Sequence, residues 1–358
     1  MSKWVVHIIF TLIAAGIIAV NHKPIYNWDI LPYMALALNH SVSNSDSVHS
    51  RVYNVVHEGQ LKGEITNGTF GNLTKRIPFR VSCYENADVF NAQLFYYRTK
   101  PLYNWLVWLL YSAGFSLIHA TIIPSLAAAW GILLILYAWM SVYTRRITAL
   151  VLTILVAMLP AFIELQNTSS PDTLSAFLVL LTLYLLFTGK EKKWIWASLV
   201  LAVLCRVDNF IFAGVVFTFM YNPPLKRFPI VILFFVTIAV TAILIIPLLS
   251  GNSWSWFTHF KFLESHVQYY FHVRNVFRAF FADAYYWIWV ALGLVLLTVN
   301  HKKVRQLMLI ITASVIIRLV LFPSLQERFF VPYELALIMA MLMAVNGKSL
   351  QPGKTEAT

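Results

Sequence analysis

Charge is scarce in this chain. Only 12% of its 358 residues are Asp, Glu, Lys or Arg, and its mean hydropathy is +0.69. A soluble domain carries about a quarter charged residues, so composition argues against one and points to a polytopic membrane protein. Cysteine is nearly missing as well. Cys83 and Cys205 give no disulfide framework and no metal-ligand spacing. Acids are outnumbered, 15 against 27 Lys and Arg. The excess reads as the positive bias of cytoplasmic loops, and because the bases form no stripe a nucleic-acid partner is excluded. There is no P-loop, no GxGxxG opening a helix, no GxSxG elbow and no HExxH. No metal site is expected. Internal repeats and Gly/Ser-rich linkers are absent too.

Aromatic residues and long apolar runs are abundant. The 12 Trp, 17 Tyr and 26 Phe suit belts at a membrane interface. Apolar runs lie at 4–20, 102–118, 120–143, 147–164, 173–188, 194–221, 229–249, 284–299, 306–322 and 329–346. The first lacks an A-x-A-like cleavage site and reads as a retained span. Four short basic links should face the cytoplasm: "TRR" at Thr144, "GKEKK" at Gly189, "NPPLKR" at Asn222 and "HKKVR" at His301. With the N-terminus inside, residues 21–100 then lie outside. Segment 102–118 is expected to lie in the outer interface. The run 194–221 is expected to cross twice, with a turn at "RVDN" (Arg206 to Asn209) below the outer surface. Each half is about 18 Å of helix against a hydrocarbon core of about 30 Å.

The resulting expectation is an all-α protein with about ten transmembrane helices. Its module 1–220 carries a large outer loop, 21–119, with amphipathic helices. Residues 221–346 form further spans around a second outer loop, 250–283, and the tail 347–358 reads as disordered. A multi-pass protein of a bacterial inner membrane is expected, or of the endoplasmic reticulum in a eukaryote, with its active site facing outward.

The polar chemistry clusters on that outer side. In "PIYNWDILPYMALALNH" a lone acid, Asp29, follows the first span and precedes "ILPYMALAL", read as a short amphipathic helix. It either caps that helix or serves as a general base at the membrane surface. In "YYRTKPLYNW", Arg98 and Lys100 either anchor to headgroups or clamp a phosphate. Asp172 in "NTSSPDTLSAF" either caps its helix or is a second acid facing Asp29. Arg206 and Asp208 form an ion pair whose depth favours a function. Glu327 and Arg328, in "LFPSLQERFFVPYELALIMA", and Arg318 either snorkel or form a phosphate site. The loop 250–283 carries His259, His266 and His272 without metal-ligand spacing. Sequons occur at Asn39, Asn67, Asn72 and Asn167, all on the outer side.

Taken in order, these pieces resemble the GT-C superfamily of membrane glycosyltransferases, which includes protein O-mannosyltransferases and lipid A aminoarabinose transferases. "YNWDILPYMALA" resembles the family's acid after the first span. "TKPLYNWLVWLL" resembles its "KPPLYYWL"-like segment, and "SSPDTLSAFLVLL" its acid between spans three and four. "ERFFVPYELAL" loosely resembles its late "RYLLPLLP"-like segment. The similarity covers roughly residues 1–220, with an echo near 321–340. Many members carry two adjacent acids in the first loop, whereas Trp28 and Ile30 flank Asp29 here.

The resemblance implies a polyprenyl-phosphate sugar as donor, with no nucleotide and no redox cofactor. A glycan, lipid or protein would be the acceptor. The short chain, with no soluble outer domain after its last span, points to transfer of a single sugar. Asp29 would be the base. Arg98, Lys100, Arg206 and Arg328 would meet the phosphate, and Asp172, Asp208 and Glu327 would complete the substrate site. A lipid-linked-sugar flippase or transporter is the rival reading; it predicts repeated halves and polar residues in both leaflets. A polysaccharide polymerase or ligase shares the donor chemistry.

Overall fold

A computed structural model describes residues 3–42, 44–221, 266–321 and 324–346. The link 222–227, the expected span 229–249, residues 250–265 with His259, and the tail 347–358 lie outside the described residues. Among the described residues regular structure is helical, with seventeen α-helices, one 3₁₀ turn and one isolated bridge between Ile25 and Thr168.

The chain enters through α1 (Lys3–Val20). Six helices of the first loop follow: α2 (Ile30–Leu38), α3 (Ser45–Leu61), α4 (Asn67–Thr74), α5 (Pro78–Glu85), α6 (Ala87–Arg98) and α7 (Pro101–Ser112). Their boundaries follow from local chemistry. Asn44, Thr66 and Asn86 cap α3, α4 and α6 by accepting backbone N–H bonds, and Pro78 and Pro101 open α5 and α7. In α3 the buried positions are Val48, Val52, Tyr53, Val56 and Gly59, one stripe of an amphipathic helix. The helix after Asp29 was expected to be amphipathic and is not. All nine residues of α2 are buried. "ILPYMALAL" holds no charged residue, so no face of it is adapted to water, and the neighbouring loop helices enclose it. This core, with Tyr33, Phe90, Leu94, Tyr103 and Val107, is separate from that of the main bundle.

Segment 102–118 does not form one helix. It ends as α7 at Ser112, turns through Gly114 at φ 98°, and resumes at Ser116, the cap of the next helix. Only glycine adopts that φ without strain. At 12 residues α7 is about 18 Å long, short of a hydrocarbon core of about 30 Å.

The bundle begins with α8 (Leu117–Tyr143), α9 (Arg146–Ala157), α10 (Pro160–Asn167) and α11 (Asp172–Phe187). It continues with α12 (Lys192–Cys205), α13 (Asn209–Tyr221), α14 (His266–Ala282), α15 (Ala284–Thr298), α16 (Lys302–Leu321) and α17 (Val331–Asn346). Among the described residues α8 alone is long and apolar enough to cross a bilayer unaided. Two bent pairs raise the number to three if each counts as one span: α9 with α10, at 67°, and Arg274–Ala282 with Tyr286–Thr298, at 84°. The apolar run 147–164 is therefore a broken pair, because Pro160 lacks the N–H that would continue the ladder. Other apolar runs fold as helices of 13–16 residues, α11, α13 and α17, so helix length does not carry the count to ten. Helices α8 and α11 approach closely at Gly131, where a Cβ would lie 2.5 Å from the ring of Phe177.

The run 194–221 folds as two helices interrupted at Arg206–Asp208. Its backbone groups are satisfied locally: Asn209 N and Phe210 N donate to Arg206 O and Val207 O, both at 3.0 Å. Asn209 Nδ2 donates to Ser175 Oγ and Ala202 O at 2.8 Å each, which ties the turn to α11. An irregular turn inside an apolar bundle requires such internal partners.

Candidate functional site: an aspartate and arginine cluster on a polar cavity

Two distant stretches meet at the Ile25–Thr168 bridge, which is parallel. Ile25 N donates to Asn167 O at 2.7 Å, and Ser169 N to Ile25 O at 3.4 Å. Lys23 N donates to Asn167 Oδ1 at 2.9 Å, and Asn167 Nδ2 to Asn21 O at 2.8 Å. From α8, Ser125 Oγ reaches Thr168 O at 2.8 Å and Ser170 O at 3.1 Å. Asp29 lies four residues after Ile25, and Asp172 four after Thr168. Equal offsets from a parallel bridge bring both acids to the same side, each at the start of a helix. Asn167 is 2% exposed, so of the four sequons this one is not presented to solvent.

The carboxylate of Asp29 does not cap its helix. The residue is itself helical, at φ −62° and ψ −22°, and its side chain takes no N–H from α2. Instead Oδ1 accepts from the hydroxyl of Tyr97 on α6 at 3.0 Å. Oδ2 accepts from Asn27 Nδ2 at 3.4 Å and faces Arg328 Nη2 at 3.6 Å. Asp172 is not the cap of its helix either: Pro171 holds that position and Asp172 is the first helical residue. It accepts from Ser170 Oγ at 2.8 Å and pairs with Arg328 Nε at 3.1 Å and with Arg206 Nη1.

Arg206 turns the other edge of its guanidinium to Asp208, with Nε at 3.0 Å and Nη2 at 3.1 Å, a forked pair. Arg318, from α16, closes on Asp208 Oδ2 at 2.6 Å. The ring of Phe329, in the 3₁₀ turn Glu327–Phe329, is shared by three guanidinium groups: Arg206 at 4.2 Å, Arg318 at 4.7 Å and Arg328 at 5.3 Å. Its π-face offsets part of the cost of gathering like charges.

Lys100 ends the series. Its Nζ donates to Tyr33 Oη at 2.7 Å and lies 4.9 Å from the Tyr97 ring centre. Among the described residues no carboxylate lies within 4.0 Å of it. Burial lowers its pKa to about 8, because few groups around it replace the lost water. Burial, followed by the charge of Asp29, raises Tyr97, so its hydroxyl stays a donor. Four cations, Lys100, Arg206, Arg318 and Arg328, thus face three carboxylates, Asp29, Asp172 and Asp208. One positive charge is left over.

The excess faces a cavity of about 440 Å³. Asp29, Lys100, Asp172, Arg206 and Arg328 line it, beside Trp28, Phe79, Tyr96, Tyr97 and Phe329. Trp28 is fixed by its Nε1–H, which donates to Gln93 Oε1 at 3.2 Å, and Arg80 lies 5.3 Å from its ring centre. Among the described residues no three of His, Cys, Asp and Glu converge in a metal-ligand group. The groups that do converge suit an anion next to a proton acceptor.

Seven of the nine residues singled out from sequence therefore meet in this cluster: Asp29, Lys100, Asp172, Arg206, Asp208, Arg318 and Arg328. Arg98 closes α6 and does not line the cavity. Glu327 is exposed and stands outside it too. Tyr97, Tyr33 and Phe329 carry the site without having been singled out. Tyr97 and Phe329 each adjoin or nearly adjoin a flagged cation, and that proximity was the available signal. Compared with known proteins, the chain matches no family model, no curated protein and no solved structure.

Proposed function

We propose that the chain is a GT-C-like membrane glycosyltransferase of about ten spans. It moves a single sugar from a polyprenyl-phosphate donor to an acceptor on the outer side of the membrane. One observation carries this reading. A carboxylate and three cations, Asp29 with Lys100, Arg206 and Arg328, converge on one cavity with a net positive charge.

Asp29 takes the proton of an acceptor hydroxyl or amine. The freed electron pair attacks the anomeric carbon in line, and the bond from that carbon to the phosphate oxygen breaks. That oxygen keeps the electron pair, and the prenyl phosphate leaves with one more negative charge. Lys100, Arg206 and Arg328 stabilise the charge as it grows, which is where fixed cations accelerate a reaction most. Trp28, Phe79 and Tyr96 offer apolar faces to a sugar ring. A lipid-linked donor also needs an apolar berth. A second cavity, of about 380 Å³, is walled mostly by aromatic and aliphatic side chains of α14–α17, with Thr312 and Glu334 among them. It shares Tyr333 with the small cleft that Arg206, Arg318 and Arg328 line.

Asp29→Asn tests the assignment. Asn keeps the size and still accepts from Tyr97 but takes no proton. Sugar transfer from a polyprenyl-phosphate donor in membranes is expected to fall by about 10²–10⁴-fold with thermal stability unchanged. Near-normal transfer would remove Asp29 from the chemistry.

A further inference from the structure

We propose that Arg328 restrains Asp29 and that an anionic phosphate releases it, by drawing the guanidinium away from the carboxylate. The inference rests on the reading of the cavity as a phosphate site and concerns how that site is controlled. Arg328 is held unevenly. Its Nε is firmly engaged, with Gln326 Oε1 at 2.9 Å and Asp172 Oδ2 at 3.1 Å. Its Nη2 meets Asp29 only at 3.6 Å, longer than a charge-assisted hydrogen bond of about 2.7–2.9 Å. The Asp29 contact is the one that yields most easily.

The competitor for Arg328 has a defined place. Arg206 and Arg318 are engaged by Asp172 and Asp208, whereas Lys100 has no carboxylate within 4.0 Å among the described residues. A phosphate in the cavity takes its first contact from Lys100. Arg328 lines the same cavity, and phosphate accepts its fork better than a carboxylate at 3.6 Å. Once Arg328 turns, Asp29 keeps only Tyr97 and Asn27. The carboxylate oxygen that faced Arg328 is then open to the acceptor's proton. Proton abstraction is thereby conditional on a bound donor.

Linkage makes this measurable without sugar transfer. If phosphate must take Arg328 from Asp29, removing the Asp29 charge strengthens phosphate binding, and does so only through Arg328. Binding of geranyl phosphate and of inorganic phosphate would be measured calorimetrically on the full-length protein in detergent. The set is wild type, Asp29→Asn, Arg328→Gln and the double variant. Asp29→Asn is expected to tighten geranyl phosphate binding by about five- to twentyfold. In the Arg328→Gln background the same change should alter it by less than about twofold.

Equal gains in both backgrounds would mean simple repulsion and overturn the proposal, as would no gain at all. If wild type binds through Lys100 and Arg328 but Asp29→Asn has no effect, the exchange falls and the phosphate site stands. No binding of either probe would overturn both. A gain shared by inorganic phosphate assigns the response to the phosphate group, and one confined to geranyl phosphate assigns it to a lipid-linked phosphate; both support the exchange. Should Arg328→Gln fail to fold, Arg328→Met, which removes the charge and keeps much of the apolar stem, replaces it in the cycle.

Discussion

Asp208 and Asp29 are both aspartates facing arginine, and the two ends of the cluster that they define differ in kind. Around Asp208 the side chains are nearly sealed, with 8% of the aspartate and 7% of Arg318 exposed. Every contact there is 3.1 Å or shorter. Around Asp29 the aspartate is 23% exposed, Arg328 19%, and their contact stretches to 3.6 Å. The inner end has its charges matched at short range, with only Arg318 Nε left without a hydrogen bond among its guanidinium contacts to Asp208, which suits a fixed scaffold at a helix break. The outer end has an unmatched lysine and a loose pair beside a cavity, which suits a ligand that comes and goes. Asp172 joins them, since it holds Arg206 on one side and Arg328 on the other.

The largest expected effect breaks the inner end. Arg318→Ala leaves Asp208 nearly sealed with one partner fewer, and breaking a buried pair in this way costs about 3–5 kcal/mol. Thermal unfolding of the purified protein should show a large drop or no folded product. Asp29→Asn, at the outer end, should barely move the same transition. Equal losses at both ends would erase the distinction.

The next effect sharpens the outer end. Lys100→Met should weaken geranyl phosphate binding by about ten- to hundredfold, the worth of a hydrogen bond to a charged group. Arg98→Ala, two residues away but off the cavity, should change it by less than about twofold. The pH dependence has a definite sign. Lys100 is protonated below about 8 and neutral above, so in the wild type anion binding should fall as pH rises through about 8. Lys100→Arg stays charged and should flatten that fall. A fall that persists in Lys100→Arg would assign it to another group.

How far the sequence led can be judged residue by residue. The break at Arg206–Asp208 was legible because charges inside an apolar run are costly and must mark a special feature. The convergence of Asp29 with Asp172 was legible only as one of two alternatives, a helix cap or a second acid facing Asp29. Its physical cause is a single bridge between residues 143 positions apart, 25 and 168, and no local pattern announces one. Separating Lys100 from Arg98 was beyond pattern reasoning. Arg98 is the last residue of α6 and Lys100 stands at the turn into α7, and that turn decides which one reaches Tyr33. The amphipathic reading of α2 failed because its helical period hid the fact that it has no polar face. The ten-span count came from run length and loop charge, whereas the helices that form are set by breaks such as Pro160.

The central claim is that the open end of the cluster receives the donor's phosphate beside a carboxylate base. Cryo-electron microscopy of the protein with a bound polyprenyl phosphate tests it most directly. The account predicts phosphate oxygens within hydrogen-bonding reach of Lys100 Nζ and the Arg328 guanidinium, with Asp29 no longer paired to Arg328. Phosphate density away from Lys100, with Arg328 still on Asp29, would contradict it.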